Sequence, residues 1–536
     1  VGIVLLALIF FSYANTLNSP FNFDDHAIFQ VVNWSPTQTC DFSPIQYRHL
    51  FFQSFCITQS QKGLDPFWYH LVNISLHFLT SLILFFLVFL TLENGTNWQG
   101  KNAFRVASLT AILFAINPLN TETVTYISGR ASGMAGCFYL LALLAFVLGS
   151  LKKLSGKSFI FYSLVLVGFV AAILSKETSL TFPAIIILYD FCFMNNGRWA
   201  PLNSRLTFFY LPTLLSLLAI LIFLPFSEQS ITNWIGKIDF NYAINQAQII
   251  SYALKLSFLP INLIFDYDFT QNWFTSINYK WFPAILWLSL IVLIFKFFKN
   301  LPVVISFSIL WYILTISITN SFLPRADLLS ERNLYLPGIG PTIFITCAYY
   351  SFFVVGKPKF PPKLGIIFLI LLLVFQGSLV IKRNSFYKSN IAIWEDTLKK
   401  SPSDLKVLHN LSHFYLEGKN NKKALVTLVK LSRSNASRFY KSFAHSNLGS
   451  IHAQNNNFKL AEKEFDKAIQ LDTTIPLGYL NLGSYYASRG LYKKAKVNLK
   501  KAYERYDKYR WGYTMPNSLN FSLAKVSFEL KDFSDA

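Results

Sequence analysis

Residues 66–90 read PFWYHLVNISLHFLTSLILFFLVFL, with no Lys, Arg, Asp or Glu among them. A helix of that length rises about 37 Å, enough to cross the roughly 30 Å hydrocarbon core of a bilayer. Inside hydrocarbon the backbone must satisfy its own hydrogen bonds, which makes an α-helix the open-chain solution. Apolar runs of the same character recur. They predict eleven spans, at 1–15, 66–90, 103–117, 133–150, 158–174, 179–194, 206–226, 281–298, 301–319, 338–355 and 364–381. A chain of 536 residues that is 53% hydrophobic and 14% charged, with mean hydropathy +0.38, falls outside the ordinary soluble class. The expected fold is an all-α polytopic membrane bundle. The chain opens on Val1, so a preceding segment is expected, and the first run reads equally as a signal peptide or an anchor.

Basic residues in the short loops set the orientation. Lys101, Arg105, Lys152, Lys153, Lys157, Arg198, Arg205, Lys296, Lys299, Lys357, Lys359 and Lys363 fall in one set of loops, against the single acid Glu93. That set is expected in the cytoplasm. The alternate loops are longer and more acidic, and with an odd number of spans everything after residue 382 lies on their side. That side is the periplasm of a bacterial inner membrane or the lumen of an ER membrane. The Lys/Asn/Ile/Phe-rich composition suits the former at least as well. The segment 243–265, interrupted by Lys255 and Pro260, is expected to lie in the outer interface as a helix.

From 382 onward the composition changes. Residues 382–536 hold 27 Lys+Arg and 13 Asp+Glu, so this tail carries +14 of the chain's +21. It also repeats. Asn447-Leu448-Gly449 returns 34 residues later as Asn481-Leu482-Gly483, and Ala453, Phe458, Ala461 and Ala468 return as Ala487, Tyr492, Ala495 and Ala502. A looser earlier copy holds Asn410-Leu411 and Ala424, and a fourth begins near Met515. Small residues at this period let paired helices approach and aromatics fill between them, a pattern that resembles tetratricopeptide repeats. A second domain, 382–536, is expected as an α-solenoid. It reads as an arm that docks a partner protein, or as a packing module against the membrane domain. Its basic residues are scattered through amphipathic helices, so no nucleic-acid partner is expected. Anionic headgroups or acidic client proteins suit the charge better.

Charged residues also gather at the outer boundary of the spans, where they are costly and point to function. FNFDDHAIF (21–29) places Asp24, Asp25 and His26 against the first span. The stretch 116–136 carries Glu122 and Arg130, 174–184 carries Lys176 and Glu177, and 323–340 carries Arg325, Asp327, Glu331 and Arg332. Each has a plain structural alternative: a turn or helix cap for Asp24-Asp25, headgroup contact for Arg130, local ion pairs for Lys176-Glu177 and Glu331-Arg332. His70 and His77 share one helical face and read as packed or hydrogen-bonded rather than as metal ligands. Together the acids and cations fit glycosyl transfer from a lipid-linked phosphosugar. Phosphate takes Arg or Lys, and an acceptor hydroxyl with its high pKa takes a carboxylate base. One base and one displacement invert the anomeric centre.

The stretches FNFDDHAIF, FWYHLVNISLH, NPLNTETVTYISGR, LSKETSLTFPAIIILYDF, LPINLIFDYDF and ERNLYLPGIG stand in the order found in the transmembrane and TPR repeat-containing (TMTC) protein O-mannosyltransferases and their bacterial relatives. This chain resembles that family over residues 1 to about 380, with the repeats in addition. The resemblance implies a GT-C membrane domain over 1–381 with extracytoplasmic catalytic loops, and a polyprenyl- or dolichyl-phosphate mannose donor. It implies Asp24 as the base, with Asp25 as its electrostatic partner or second contact. Arg130, Lys176 and Arg332 become donor-phosphate ligands, and His26, Glu122, Glu177 and Glu331 orienting or sugar-binding groups. Asn117-Pro118 stands where many members have His-Pro. No metal site is read, because adjacent Asp24, Asp25 and His26 cannot all face one ion in an extended chain; a divalent cation enters only by analogy with related folds.

Two other functions compete. A non-enzymatic scaffold would use the repeats to dock extracytoplasmic partners and would bind no polyprenyl-phosphate sugar. A transporter would need polar groups near the bilayer midplane and related halves, and neither is found in 1–381. Cys40 and Cys56 share the first outer loop, as a disulfide or as two thiols, while Cys137, Cys192 and Cys347 read as packing residues. Asn33, Asn410, Asn435 and Asn520 begin glycosylation sequons on the outer side.

Overall fold

A computed structural model describes residues 1–31, 48–151, 158–194, 213–214, 240–267, 282–297, 302–320, 327–354, 361–509 and 517–531. All described elements are helical. The chain divides into two compact units, Val1–Ile393 and Trp394–Ala536. The division falls beyond the compositional change at 382 because the helix Pro362–Asn384 runs through that change.

In the first unit the helices Gly2–Tyr13, Pro66–Gly95, Lys101–Ala115, Arg130–Leu151, Val303–Ile316 and Ile339–Phe353 surround one apolar core. The helix Pro66–Gly95 starts where Asp65 caps the Phe67 N–H and Pro66 takes the first turn, where a missing N–H costs nothing. The helix Lys101–Ala115 ends at Asn117-Pro118 because proline disfavours helical geometry in the residue before it; Asn117 is extended, at φ −71° and ψ 122°. The short helices beyond it turn by 49°. Asn117 accepts the Leu119 N–H, and the Asn120 amide donates to the Phe114 carbonyl, which also takes the Asn117 N–H. Asn117 is therefore a cap at a bend. His77 donates Nε2–H to the Ala115 carbonyl, so its Nδ1 accepts from the Tyr335 hydroxyl, while His70 contacts the Ser19 carbonyl.

Four described helices are long and apolar enough to cross a membrane, or five if the bent pair is one span. They are Pro66–Gly95, Ile127–Leu151, Glu177–Met194 and Pro362–Lys388. The helix Pro362–Asn384 turns Ile366, Phe368, Leu371 and Val374 outward, as lipid contact requires. The expected count of eleven is not reached among the described residues. Gly2–Thr16, Ile160–Ser175, Phe282–Leu293, Val303–Ile316 and Ile339–Phe353 are apolar but shorter, and 206–226 lies almost wholly outside the described residues. The expected interfacial segment forms the helix Phe240–Phe258, which buries Ile249, Ala253 and Leu256 against Tyr312, Ile316 and Leu334. Cys56 is disulfide-bonded, and Cys40, its expected partner, lies outside the described residues. Cys137, Cys192 and Cys347 are buried free thiols.

The second unit is built of helix pairs: Leu405–Glu417 with Asn421–Arg433, Arg438–Gln454 with Phe458–Leu471, and Pro476–Ser488 with Tyr492–Tyr509, followed by Asn517–Glu529. The 34-residue period is a packing period. A Cβ at Gly449 would sit 2.7 Å from the Phe465 ring, so a larger residue there would force that ring or the helix pair to shift. Asp404 caps its helix by accepting from the Lys406 and Val407 N–H groups.

Candidate active site

The helix Asp24–Val31 is joined to the first apolar helical segment, Gly2–Thr16, by residues 17–23, and its first turn is tied down from several directions. The Asn22 amide donates to the Pro20 and Tyr387 carbonyls, and the Phe23 N–H donates to Asn390 Oδ1 at 2.8 Å. The Asp24 N–H donates to the Tyr126 hydroxyl at 2.9 Å. Asp25 is the main staple. Its Oδ2 accepts the Asn22 N–H at 2.9 Å, and its Oδ1 accepts the Ser128 N–H at 2.8 Å together with the Ser128 hydroxyl. Ser128 sits in the tight turn Ile127–Gly129, where a Cβ on Gly129 would collide with the Glu122 and Thr123 carbonyls. Burial pushes the Asp25 carboxyl up to about 7, against the lowering effect of the Ser128 and Asn22 hydrogen bonds. Asp25 thus faces the protein. His26 faces solvent, with Nε2 on the Phe21 carbonyl.

Asp24 lines a cavity of about 250 Å³. Lys176, Arg332, Arg48 and Asp327 line it too, so three cations and two carboxylates from four distant stretches meet around one space. Ser128, Ser132 and Asn333 add polar wall, and Ile28, Phe51 and Phe52 add an apolar side. The Lys176 ammonium donates to Ser132 Oγ and Asn333 Oδ1, both at 2.6 Å. Arg332 is held by Glu122, whose Oε2 accepts its backbone N–H at 3.0 Å and whose Oε1 lies 3.5 Å from the guanidinium. Glu122 is buried and also accepts from Ser330 Oγ. Asp327 lies 3.8 Å away, and the guanidinium stands 5.6 Å from the Tyr126 ring centre. Desolvation lowers the Arg332 pKa, but Glu122, Tyr126, Asp24 and Asp327 together hold it above the ordinary arginine value.

Other residues named from the sequence sit elsewhere. The Arg130 side chain is fully buried and is not among the residues that line the cavity. Its Nε donates to Asn73 Oδ1, Nη1 to the Ser54 carbonyl and Nη2 to the Tyr69 carbonyl, with the guanidinium 4.3 Å over the Phe55 ring. The helix His49–Lys62 supplies part of this enclosure, and neutral oxygens compensate the buried charge. The acids offered as local ion pairs in the alternative reading take distant partners. Glu331 is buried against Arg383 at 3.1 Å and accepts from the Tyr267 hydroxyl at 2.8 Å, while Arg332 pairs with Glu122. Glu177 takes Arg48 at 2.9 Å. Among the described residues no three His, Cys, Asp or Glu side chains are placed to hold a metal ion.

Sequence reasoning passed over Arg48, Ser128, Ser132, Asn333 and Tyr126. Arg48 had a signal: it is the one Lys or Arg in residues 1–61. Ser128, Ser132 and Asn333 are ordinary polar residues whose position at the cavity depends on long-range packing, and Tyr126 stands behind it, against the Asp24 N–H and the Arg332 guanidinium.

The tetratricopeptide repeat family matches residues 444–474. Over most of its length the chain is similar to protein O-mannosyl-transferase F38B6.6 of Caenorhabditis elegans, with 25% identity covering 76% of this chain and 59% of that protein. It is 23% identical to human protein O-mannosyl-transferase TMTC1 (78% and 51%) and 24% identical to human protein O-mannosyl-transferase TMTC3 (83% and 50%). The chain thus spans about half the length of the curated relatives it matches. No solved structure matches it.

Proposed function

We propose that this chain, like the protein O-mannosyl-transferases it resembles, is a membrane glycosyltransferase that moves mannose from a polyprenyl- or dolichyl-phosphate to Ser/Thr hydroxyls of extracytoplasmic proteins. The single observation that carries the proposal is the meeting of Asp24 with Lys176 and Arg332 around one cavity. In the proposed step the acceptor oxygen attacks the anomeric carbon from the face opposite the phosphate. Its proton passes to the Asp24 carboxylate as the new bond forms. The bond from the anomeric carbon to the phosphate oxygen breaks, and polyprenyl phosphate leaves with the electron pair. Lys176 and Arg332 stabilise that growing charge, and the displacement inverts the sugar. Glu122 positions Arg332, and Asp25 positions the turn that presents Asp24. The membrane unit takes a GT-C architecture in this reading, its spans number about eleven by hydropathy, and the repeats dock the acceptor protein on the outer side.

Purified protein incubated with labelled polyprenyl-phosphate mannose and candidate client proteins tests the proposal. Wild type is expected to label Ser or Thr. Asp24→Asn is expected to lose about 10²–10⁴-fold in rate, the usual contribution of a general base, while remaining folded. Wild-type turnover by Asp24→Asn would remove the base; no transfer by wild type from any polyprenyl-phosphate sugar would remove the activity.

A further inference from the structure

Arg48 enters the cavity beside Lys176 and Arg332, and its setting repeats that of Arg332. Glu122 stands behind Arg332 and Glu177 behind Arg48; neither glutamate lines the cavity, whereas both guanidinium-bearing residues do. Glu177 takes Arg48 in a fork, with Nε and Nη2 donating over 2.9–3.1 Å. Glu177 follows Lys176, whose backbone is extended at φ −161° and ψ 138°. One strand-like step therefore sets both the ammonium on the wall and the carboxylate that aims the guanidinium. Arg48 itself adopts a left-handed conformation, φ 56° and ψ 36°, at the start of the helix His49–Lys62. Such a backbone is unfavourable for a residue with a side chain, and it persists where the surroundings over-determine it.

We propose that Arg48 is a further phosphate ligand, one that acts on the leaving group and is aimed by Glu177. This rests on the lipid-phosphate-sugar reading above and adds to it a residue and a stage. The donor is a phosphodiester with one negative charge. When the sugar departs, the phosphate becomes a monoester carrying about −1.5 to −2 at neutral pH. A site that drives the reaction holds more positive charge against the product than the donor alone needs, and a planar guanidinium matches a phosphate edge with two parallel hydrogen bonds. Arg48 is partly exposed, at 27%, and holds Glu177 through Nε and Nη2, so a ligand in the cavity would meet it at the Nη1–Nη2 edge.

The test is binding of polyprenyl phosphate, without sugar, to the full chain in nanodiscs, alongside donor turnover. Arg48→Gln is expected to weaken polyprenyl-phosphate binding roughly 10- to 100-fold, as the loss of hydrogen bonds to a charged group does. It is expected to lower kcat more than it raises the donor KM. Arg48→Lys keeps the charge without the fork, is the milder change to the fold, and is expected to recover part of the binding. The exchange Arg48→Glu with Glu177→Arg restores an ion pair but puts a carboxylate on the cavity wall, so binding stays lost. Unchanged binding in Arg48→Gln, or recovery in the exchanged pair, overturns the proposal and leaves an ion pair that serves the fold. Absence of binding by wild type overturns the lipid-phosphate reading together with this one.

Discussion

The Tyr126 hydroxyl accepts the backbone N–H of Asp24 at 2.9 Å, across 102 residues of chain, while its ring stands 5.6 Å from the Arg332 guanidinium. One side chain thus touches both the loop of the proposed base and a proposed phosphate cation, and the two contacts are separable. Tyr126→Phe removes the hydroxyl and keeps the ring. Its expected effect is a fall in kcat of about ten-fold with donor KM nearly unchanged, because Asp24 loosens by a fraction of the ångström that costs far more. Tyr126→Leu also removes the ring and is expected to raise donor KM. Steady-state kinetics of the two variants make the comparison; equal losses in both parameters for both variants would reduce Tyr126 to a packing residue.

Asp25 is expected to make the unfolding temperature depend on pH. Its folded pKa is about 7, raised by burial above the ordinary 3.8. Between those values the unfolded state releases the proton more readily than the folded state. Stability therefore falls as pH rises from about 4 to 7, then levels, by on the order of 4 kcal/mol for this group alone. Thermal unfolding in detergent is expected at a lower midpoint at pH 8 than at pH 5. In Asp25→Asn that part of the pH dependence should vanish.

Arg130 and Lys176 are expected to fail differently. Arg130→Ala leaves the buried Asn73 Oδ1 without this donor and is expected to destabilise by about 1–3 kcal/mol, the cost of a buried polar group left unsatisfied. Its folded fraction should bind polyprenyl phosphate normally. Lys176→Ala should keep most of the stability and lose the binding. Unfolding midpoints and lipid-phosphate titrations on both variants would reveal a reversed pattern.

Glu331 and Arg383 form a buried pair, 0% and 6% exposed at the side chains. Arg383→Ala leaves a buried carboxylate beside the Tyr267 hydroxyl and is expected to cost about 3–5 kcal/mol. Replacing both, as Glu331→Gln with Arg383→Met, is expected to cost less than Arg383→Ala alone. A double-mutant cycle on unfolding midpoints measures the difference, and strict additivity would mean the pair is not coupled.

Hydropathy and the 34-residue period determined that this chain is helical, that long apolar helices dominate its first part, and that paired helices follow. Those properties arise from contacts between near neighbours in sequence, so a linear reading reaches them: Gly449 meets Phe465 only one helix away. Asp24, Lys176 and Arg332 were also legible as charged residues at a boundary where charge is costly. Which charges face the cavity was decided only by tertiary structure. Asp25 differs from Asp24 because Ser128, 103 residues on, claims its carboxylate. Arg130 differs from Arg332 because the helix carrying Ser54 and Thr58 encloses one, and Glu122 draws the other to the cavity wall. A side chain's exposure is set by whatever packs over it, and here the partners lie 50 to more than 300 residues away, beyond the reach of any local pattern.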